Sequence, residues 1–539
     1  MKTRPWLEGA GLAMFYLLPP LAEFLSPARR QFYHQLLPVT MLTRGMLIDL
    51  LLLGILGGIV FTLLDRTAAR LHQILWLPIF FVAAWIAARN ISTTMRDPIL
   101  RGHLLQLAPY APAVVLAILA ALLLFLPRIY DYCVRITAVV LAAGGIAVLL
   151  VVLPKLVLAC FSHTPQEQAG FTHPVTNPWR PGQTRIVWIV FDELSYRQAF
   201  EHPQPGIDLP AFSRLAAESI TFSQLSPIGY ETERILPSLI SGQPIADVEG
   251  DAQGRMLLRH NNKAAWQHFD QDATIFGAAR RQGWGTGVAG WYNPYCRILN
   301  TVLDRCYWTF GQSVAGELFT RLSSRQSAWE NARDGLPLAA RVEALWGHAP
   351  SNQALFDDYS SLLHAGESLI QDPDIRLAFI HMPVPHPPGL VRNPGGAHDF
   401  DYLGNLLLAD RAMAQFLRSL AASPSAADTV LIVSSDHSWR VPLWRGVPGW
   451  NKDEERATDG GHFDQRPVLM VRFPRQPGAN PRANPRANPA NPGAVNIDRP
   501  QSEMIAHSLV LDLIEGNVRT PEEWIAALPA GVPAPSQAD

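Results

Sequence analysis

Acidic and imidazole residues collect at the ends of apolar runs in the C-terminal two thirds of this 539-residue chain. Asp192 and Glu193 follow RIVWIVF, and Ser434, Ser435, Asp436 and His437 follow TVLIV. His381 follows LAFI, with His386 five residues later, and His462 stands shortly before the apolar run Val468–Phe473. A buried carboxylate costs several kcal/mol unless it is paired or bound to metal, so an acid that directly ends an apolar run calls for a partner. Each residue alone has a bland reading as a solvated loop residue. Together, oxygen and nitrogen ligands of this kind suit Zn²⁺ or Mn²⁺, with Ca²⁺ or Mg²⁺ as further candidates. Just after the Asp-His pair, Trp439, Trp444 and Trp450 alternate with Arg440, Arg445 and Lys452. Such a stretch could bind a glycan or a head group; ordinary packing in a surface loop is the competing reading.

The elements that must position these residues follow from their flanks. Arg185–Phe191, Leu377–Ile380, Thr429–Val433 and Val468–Phe473 are apolar on both faces, as central strands of a helix-covered sheet are. Helical patterns lie between them at Leu209–Glu218, Ala273–Gln282 and Tyr402–Leu420, the last with Leu406, Ala409, Met413, Phe416 and Leu420 on one face. This alternation predicts an α/β domain over 185–528 with a mostly parallel sheet. Ligands of open α/β sheets bind outside the carboxyl ends of the strands, which would gather the acids and imidazoles on one rim. Within the domain, Gln476–Asn496 repeats Asn-Pro steps that bar helix and central strand alike, and reads as an exposed inserted loop. Residues 529–539 read as a frayed Pro/Ala-rich tail. Residues 162–184, holding Pro165, Pro174, Pro178 and Pro181, read as a linker.

Charge separates the two parts of the chain. Through Phe161 there are 13 Lys/Arg and 6 Asp/Glu, leaving 31 and 40 for the rest. The first part is therefore charge-poor with a net charge of +7, and the second is acidic at −9. The acidic part argues against nucleic-acid binding, because a phosphate backbone repels it. Residues 1–161 predict a transmembrane helical bundle of about five spans. These are Gly9–Leu25 (weakened by Pro19, Pro20 and Glu23), Met46–Leu64, Ile74–Ala88, Ala108–Leu126 and Ile136–Phe161, the last containing Lys155. Loop Lys/Arg divide evenly between the two sides, so charge leaves the orientation open. Cys296 and Cys306 suit a local disulfide, which persists in an oxidising compartment; two buried thiols are the alternative.

Several motifs match a known pattern in order and spacing: IVFDELS, LPAFSRLAAESITF, YETERILPSLISGQ, ATIFGAARRQGWGTGVAGWY, HMPVPHPP, YLGNLLLADRAMAQFL and LIVSSDHSWR. From Arg185 to about Gly516 the chain resembles the sulfatase-like branch of the alkaline phosphatase superfamily. Apolar spans before such a domain also look like lipoteichoic acid synthases and phosphoethanolamine transferases. The resemblance implies an alkaline-phosphatase-like α/β fold with Asp192, Asp436 and His437 on one divalent ion. It implies Thr232, five residues before Pro237, as nucleophile, and His386 and His462 at the substrate or at a second metal. Glu193, Arg234 and His381 are further candidates, Arg234 because it could offset Glu231 and Glu233 beside Thr232. Ser238 and Ser241 remain rivals of Thr232, which could instead be an exposed loop residue capping a helix that starts after Pro237. Sulfatases carry Cys or Ser in Cys/Ser-x-Pro-x-Arg; here the stretch is Ile235-Leu236-Pro237-Ser238-Leu239, so formylglycine chemistry is not expected.

What these readings imply is a multi-pass enzyme of the bacterial inner membrane with its catalytic part outside the cytoplasm. It would act on phosphate esters or phosphodiesters of lipid head groups or glycans. A sulfuric-ester hydrolase and a non-catalytic membrane structural or sensing protein are the alternatives.

Overall fold

The computed structural model describes residues 4–18, 21, 39–94, 111–160, 170–175, 177–250, 255–261, 264–309, 353–387, 389–390, 401–445, 450–474 and 494–530. Nine strands form one sheet: β1 (Gly170–Thr172), β2 (Arg185–Phe191), β3 (Ile220–Phe222), β4 (Gly285–Trp291), β5 (Arg305–Thr309), β6 (Ile375–Met382), β7 (Thr429–Ser435), β8 (Leu469–Arg472) and β9 (Val495–Ile497). Their order across the sheet is β1-β5-β4-β6-β2-β7-β8-β3-β9. The five strands from β5 to β7 are parallel. β1 runs against β5, and β8 runs against both β7 and β3.

β2, β4, β6 and β7 are buried at every position because both faces of the sheet are covered. The two-residue period of β2 shows how. Ile186, Trp188 and Val190 pack with Leu236, Phe276 and Leu509 from helices Thr232–Ser241, Ile275–Arg281 and Ile505–Glu515. Val187, Ile189 and Phe191 face the other way, onto Phe212, Leu406 and Met413 from helices Pro210–Ala216 and Tyr402–Ala422. With each strand locked between two apolar layers, a one-residue slip would exchange those layers, so the register that presents residues 192 and 436 is fixed.

Several boundaries differ from expectation. The run LAFI belongs to a strand reaching Met382, so His381 lies inside β6 rather than after it. The expected linker 162–184 contains β1, which pairs with β5 as the sheet's edge. Val495 and Asn496, placed in the inserted loop, belong to β9 and pair with β3. Residues 476–493 of that loop and 531–539 of the tail lie outside the described residues. The helix expected from Ala273 starts at Ile275, where the Thr274 side chain accepts from Gly277 N.

Before the sheet, the described residues form helices Arg4–Tyr16, Val39–Leu64, Ala69–Thr94, Ala111–Phe125 and Pro127–Ala147, the last running on through a π-helical turn (Val148–Val152) into Leu153–Cys160. The first begins earlier than the expected Gly9 and ends before Pro19 and Pro20. Only Leu126 separates the fourth from the fifth, so Arg128 and Arg135, between the expected spans Ala108–Leu126 and Ile136–Phe161, are helical rather than in a loop. Among the described residues, Met46–Leu64 and Pro127–Leu158 are long and apolar enough to cross a membrane; Ala69–Ala84 and Ala113–Phe125 are shorter apolar helices. Helix Arg4–Tyr16 sits close to two neighbours. A Cβ added to Gly9 would lie 2.2 Å from Gly58 N, and one added to Gly11 would lie 1.8 Å from the Leu141 carbonyl oxygen.

Candidate active site

The carboxyl ends of four neighbouring parallel strands, β4, β6, β2 and β7, meet at one rim. Asp192 follows β2, and Asp436 and His437 follow β7; all three are fully buried. One ligand atom from each lies within 4.8 Å of the others. His437 Nε2 is 3.3 Å from Asp436 Oδ2 and 3.8 Å from Asp192 Oδ1. His437 Nδ1 lies 3.0 Å from the Ser438 carbonyl oxygen. That contact assigns the proton to Nδ1 and leaves the Nε2 lone pair toward the two acids.

His381, reaching in from β6, repeats this arrangement. Its Nδ1 lies 2.8 Å from the Trp291 carbonyl oxygen, and its Nε2 stands 3.8 Å from Asp192 Oδ2. That Nε2 and both Asp192 carboxylate oxygens are buried without a hydrogen-bond partner. Lone pairs of two carboxylates and two imidazoles thus point at one another with almost no proton between them. Burial, then the charges of Asp436 and Glu193, push the Asp192 carboxyl well above its usual range. Burial lowers His381 to about 4 and also lowers His437 well below its usual range, with Arg440 adding to the effect on His437. The fully buried Asp192, Glu193 and Asp436 face one guanidinium, Arg440, which leaves two negative charges unbalanced if all three ionise. Hard oxygen and imidazole donors converging with that deficit fit a single divalent cation.

Thr232 brings an aliphatic hydroxyl to this group. Its Oγ1 donates to Asp436 Oδ2 at 2.7 Å and lies 3.2 Å from His437 Nε2. Contrary to expectation, Thr232 is neither exposed nor in a loop. It is the first residue of helix Thr232–Ser241 and is 6% exposed. The helix does not start after Pro237; that proline lies inside it, held by Leu236 and Leu239 in the core. Ser238 is consequently a mid-helix residue. Its hydroxyl donates to the Arg234 carbonyl oxygen and accepts from Ile245 N, while Ser241 donates to the Pro237 carbonyl oxygen. Those two hydroxyls are occupied away from the acids.

Two candidates turn elsewhere. Arg234 pairs with Glu231 at 2.9 Å and Asp247 at 3.7 Å. Glu193 follows Asp192 but has φ +67°, a left-handed backbone that swings its side chain off the line of the strand. Its carboxylate meets Arg440 Nε and accepts from Trp444 Nε1 at 2.8 and 3.0 Å. Burial lifts it to about 7 against the pull of Arg440. His386 sits at the rim, partly exposed, with Arg440 Nη2 at 3.1 Å from its Nε2. His462 lies on the exposed turn after helix Lys452–Ala457, outside the buried cluster. In the aromatic stretch, Trp439 is a packing residue, stacked on Tyr402 at 4.0 Å.

Sequence reasoning missed two residues. Arg440 was seen only as part of the aromatic stretch, although its position three residues after His437 was a usable signal. Glu503 gave none. It is buried, its Oε2 accepts from Ile228 N at 3.3 Å, its Oε1 has no partner, and burial followed by the Asp436 charge pushes it well up. Cys296 and Cys306 are bonded, with Cα atoms 5.6 Å apart, tying helix Tyr295–Ile298 to β5.

The sulfatase family model matches residues 184–479, more than half of the chain. No curated protein matches. Among solved structures the chain is similar to Ps i-CgsB in complex with k-i-k-neocarrahexaose, at 14% identity over 65% of this chain and 75% of that one, TM-score 0.39. It is also similar to the phosphonate monoester hydrolase of Agrobacterium radiobacter, at 13% identity, 65% and 78% coverage and TM-score 0.36. A third is the lipoteichoic acid synthase LtaP from Listeria monocytogenes, at 12% identity, 62% and 72% coverage and TM-score 0.36.

Proposed function

Because the chain belongs to the sulfatase family, we propose that it is a membrane-anchored, metal-dependent hydrolase or transferase acting on phosphate esters or phosphodiesters of a lipid head group or glycan, with Thr232 as nucleophile. The observation that carries this reading is the convergence of Asp192, Asp436 and His437 on the Thr232 hydroxyl at the strand-end rim. A divalent ion at these ligands, Zn²⁺ or Mn²⁺ by donor type, would supply the positive charge that makes a hydroxyl acidic near neutral pH. The residues of the chain do the rest. Thr232 Oγ1 attacks phosphorus while its proton passes to Asp436 Oδ2; the bond to the leaving oxygen breaks, and that oxygen takes a proton from solvent. Water or an acceptor alcohol then attacks the phospho-threonine and releases its own proton. The threonine oxygen leaves phosphorus and recovers the proton held by Asp436.

The membrane reading is supported by the apolar surface of the N-terminal helices. Ile48, Leu51, Leu52, Ile55, Leu56 and Ile59 on Val39–Leu64 are 45–59% exposed, a stripe that water does not tolerate and lipid does. The Cys296–Cys306 disulfide supports a catalytic part outside the cytoplasm, on the outer face of a bacterial inner membrane.

The test is turnover by the full chain in detergent, with Mn²⁺ or Zn²⁺, of matched aryl phosphate, bis-aryl phosphodiester and aryl sulfate. Phosphorus esters should turn over faster than the sulfate. Thr232→Ala should abolish turnover, Thr232→Ser should keep part of it, and intact-mass spectrometry should place an adduct on Thr232. Preference for the sulfate would favour the sulfuric-ester reading. Full activity in Thr232→Ala would remove the nucleophile assignment.

A further inference from the structure

Arg440 is the cation of this site, and its surroundings hold it in one place. Its Nε meets Glu193 Oε1, its Nη1 donates to the Tyr230 carbonyl oxygen at 3.3 Å, and its Nη2 lies 3.1 Å from His386 Nε2. Glu193 is itself held by Trp444, whose ring also packs edge-on against His386 at 5.3 Å. The guanidinium therefore links four segments: those following β2, β6 and β7 and the one leading into Thr232. An ion pair with Glu193 alone would need neither of the other two contacts.

Exposure separates Arg440 from its neighbours. Asp192, Glu193, His381, Asp436 and His437 are fully buried, whereas the Arg440 side chain is 18% exposed. It is the charged group of the cluster that an incoming anion reaches. A guanidinium has five N–H donors, and the three contacts above engage three of them. Among the described residues two remain, and a guanidinium's paired donors suit the oxygens of a tetrahedral anion. The same contacts bear on the expected second metal. His386 Nε2 is taken by Arg440, and His462, its expected companion, is on an exposed turn.

Resting on the function proposed above, we propose that Arg440 binds the non-bridging oxygens of the transferred tetrahedral anion, in the place that a second cation on His386 and His462 would otherwise fill. The site then works with one metal ion, and the second positive charge is part of the chain. Glu193, despite following Asp192, is the positioning residue that aims this arginine.

The experiment uses the full chain in detergent loaded with Mn²⁺, and inorganic phosphate as the probe, with phosphate binding read by calorimetry and metal by elemental analysis. Wild-type chain should hold one ion. In the double variant Arg440→Ala, Glu193→Gln, which removes the carboxylate together with the arginine that pairs it, the phosphate Kd should rise about 10- to 100-fold with metal content unchanged. Arg440→Lys keeps a charge for Glu193 but not the fork, and should fall between; it carries the test should the double variant not fold. Phosphate affinity unchanged in these variants, or a second ion lost on His386→Ala, would overturn the arginine assignment and leave the function proposed above standing. Wild-type chain that binds phosphate independently of the ion at Asp192, Asp436 and His437 would overturn both.

Discussion

Asp192 faces its neighbours with two lone-pair-bearing oxygens and no donor, which makes its contribution depend on what else is present. Without metal its charge is desolvated and repelled; with metal it is a ligand. Asp192→Asn should therefore raise the thermal unfolding temperature of the chelated chain and lower that of the Mn²⁺-loaded chain. A shift in the same direction in both states would mean that Asp192 does not meet the ion. Glu503 gives a second, separable test. Its carboxyl is pushed up in the folded chain, so folding favours its proton: the native state tolerates the group below about pH 4.5 and is progressively penalised as pH rises through the shifted value. Glu503→Gln keeps an acceptor for Ile228 N and removes the charge. Its stability relative to wild type should be near equal in acid and should grow as pH rises, measured by denaturant unfolding at matched pH. At this scale Asp192, Asp436 and His437 were legible as candidate ligands because an acid ending an apolar strand has few bland explanations. The roles of Glu193 and Arg234 were not, because one depends on a single left-handed residue and the other on an acid thirteen positions away, Asp247.

The secondary-structure elements explain why Thr232 was read as a loop residue. Pro237 inside a short run suggested a helix start, since proline is favoured in the first turn and disfavoured further in. The structure starts the helix five residues earlier and ends it at Gly242, whose φ of +73° only glycine adopts freely; a Cβ there would also meet the His507 ring at 2.3 Å. That early start is what puts the Thr232 hydroxyl in reach of Asp436. Strands were easier to read than helices, because runs apolar on both faces have one home in a helix-covered sheet. Short pairings such as β1 and β9 carry no such signal and depend on partners far away in sequence. The disulfide belongs to this scale too. Closing a loop over ten positions restricts the unfolded chain by about 3 kcal/mol. Replacing Cys296 and Cys306 together by Ser should cost roughly that much stability in denaturant unfolding, while turnover at low temperature persists, because the bond is outside the cluster.

For the molecule as a whole, the two parts differ in the surface they present. The C-terminal part buries its apolar strands under helices, and the N-terminal helices leave leucine and isoleucine on their outer surface. The chain should stay with the membrane fraction through alkaline carbonate washing and leave it only with detergent. A reporter active solely in the cytoplasm, fused after Asp539, should give no signal; a strong one would invert the proposed orientation. Sequence composition was enough to separate the parts, but not to orient them, since Lys and Arg divide evenly between the two sides and several of them, Arg44, Arg70, Arg89, Arg128 and Arg135 among them, lie in helices.

The glycine contacts of the first helix bear on when the bundle can close. Gly9 lies against Gly57 and Gly58, whereas Gly11 lies against Leu141, and Gly145 returns the contact on Leu7. In lipid, such close backbone approach takes the place of a hydrophobic drive between helices. Helix Arg4–Tyr16 leaves the ribosome well before one of its two seats, on Pro127–Ala147, which is made more than 100 residues later. For that interval the face that meets Pro127–Ala147 lacks this partner, so the earlier helix is held waiting and the contact closes only when the later one has been made.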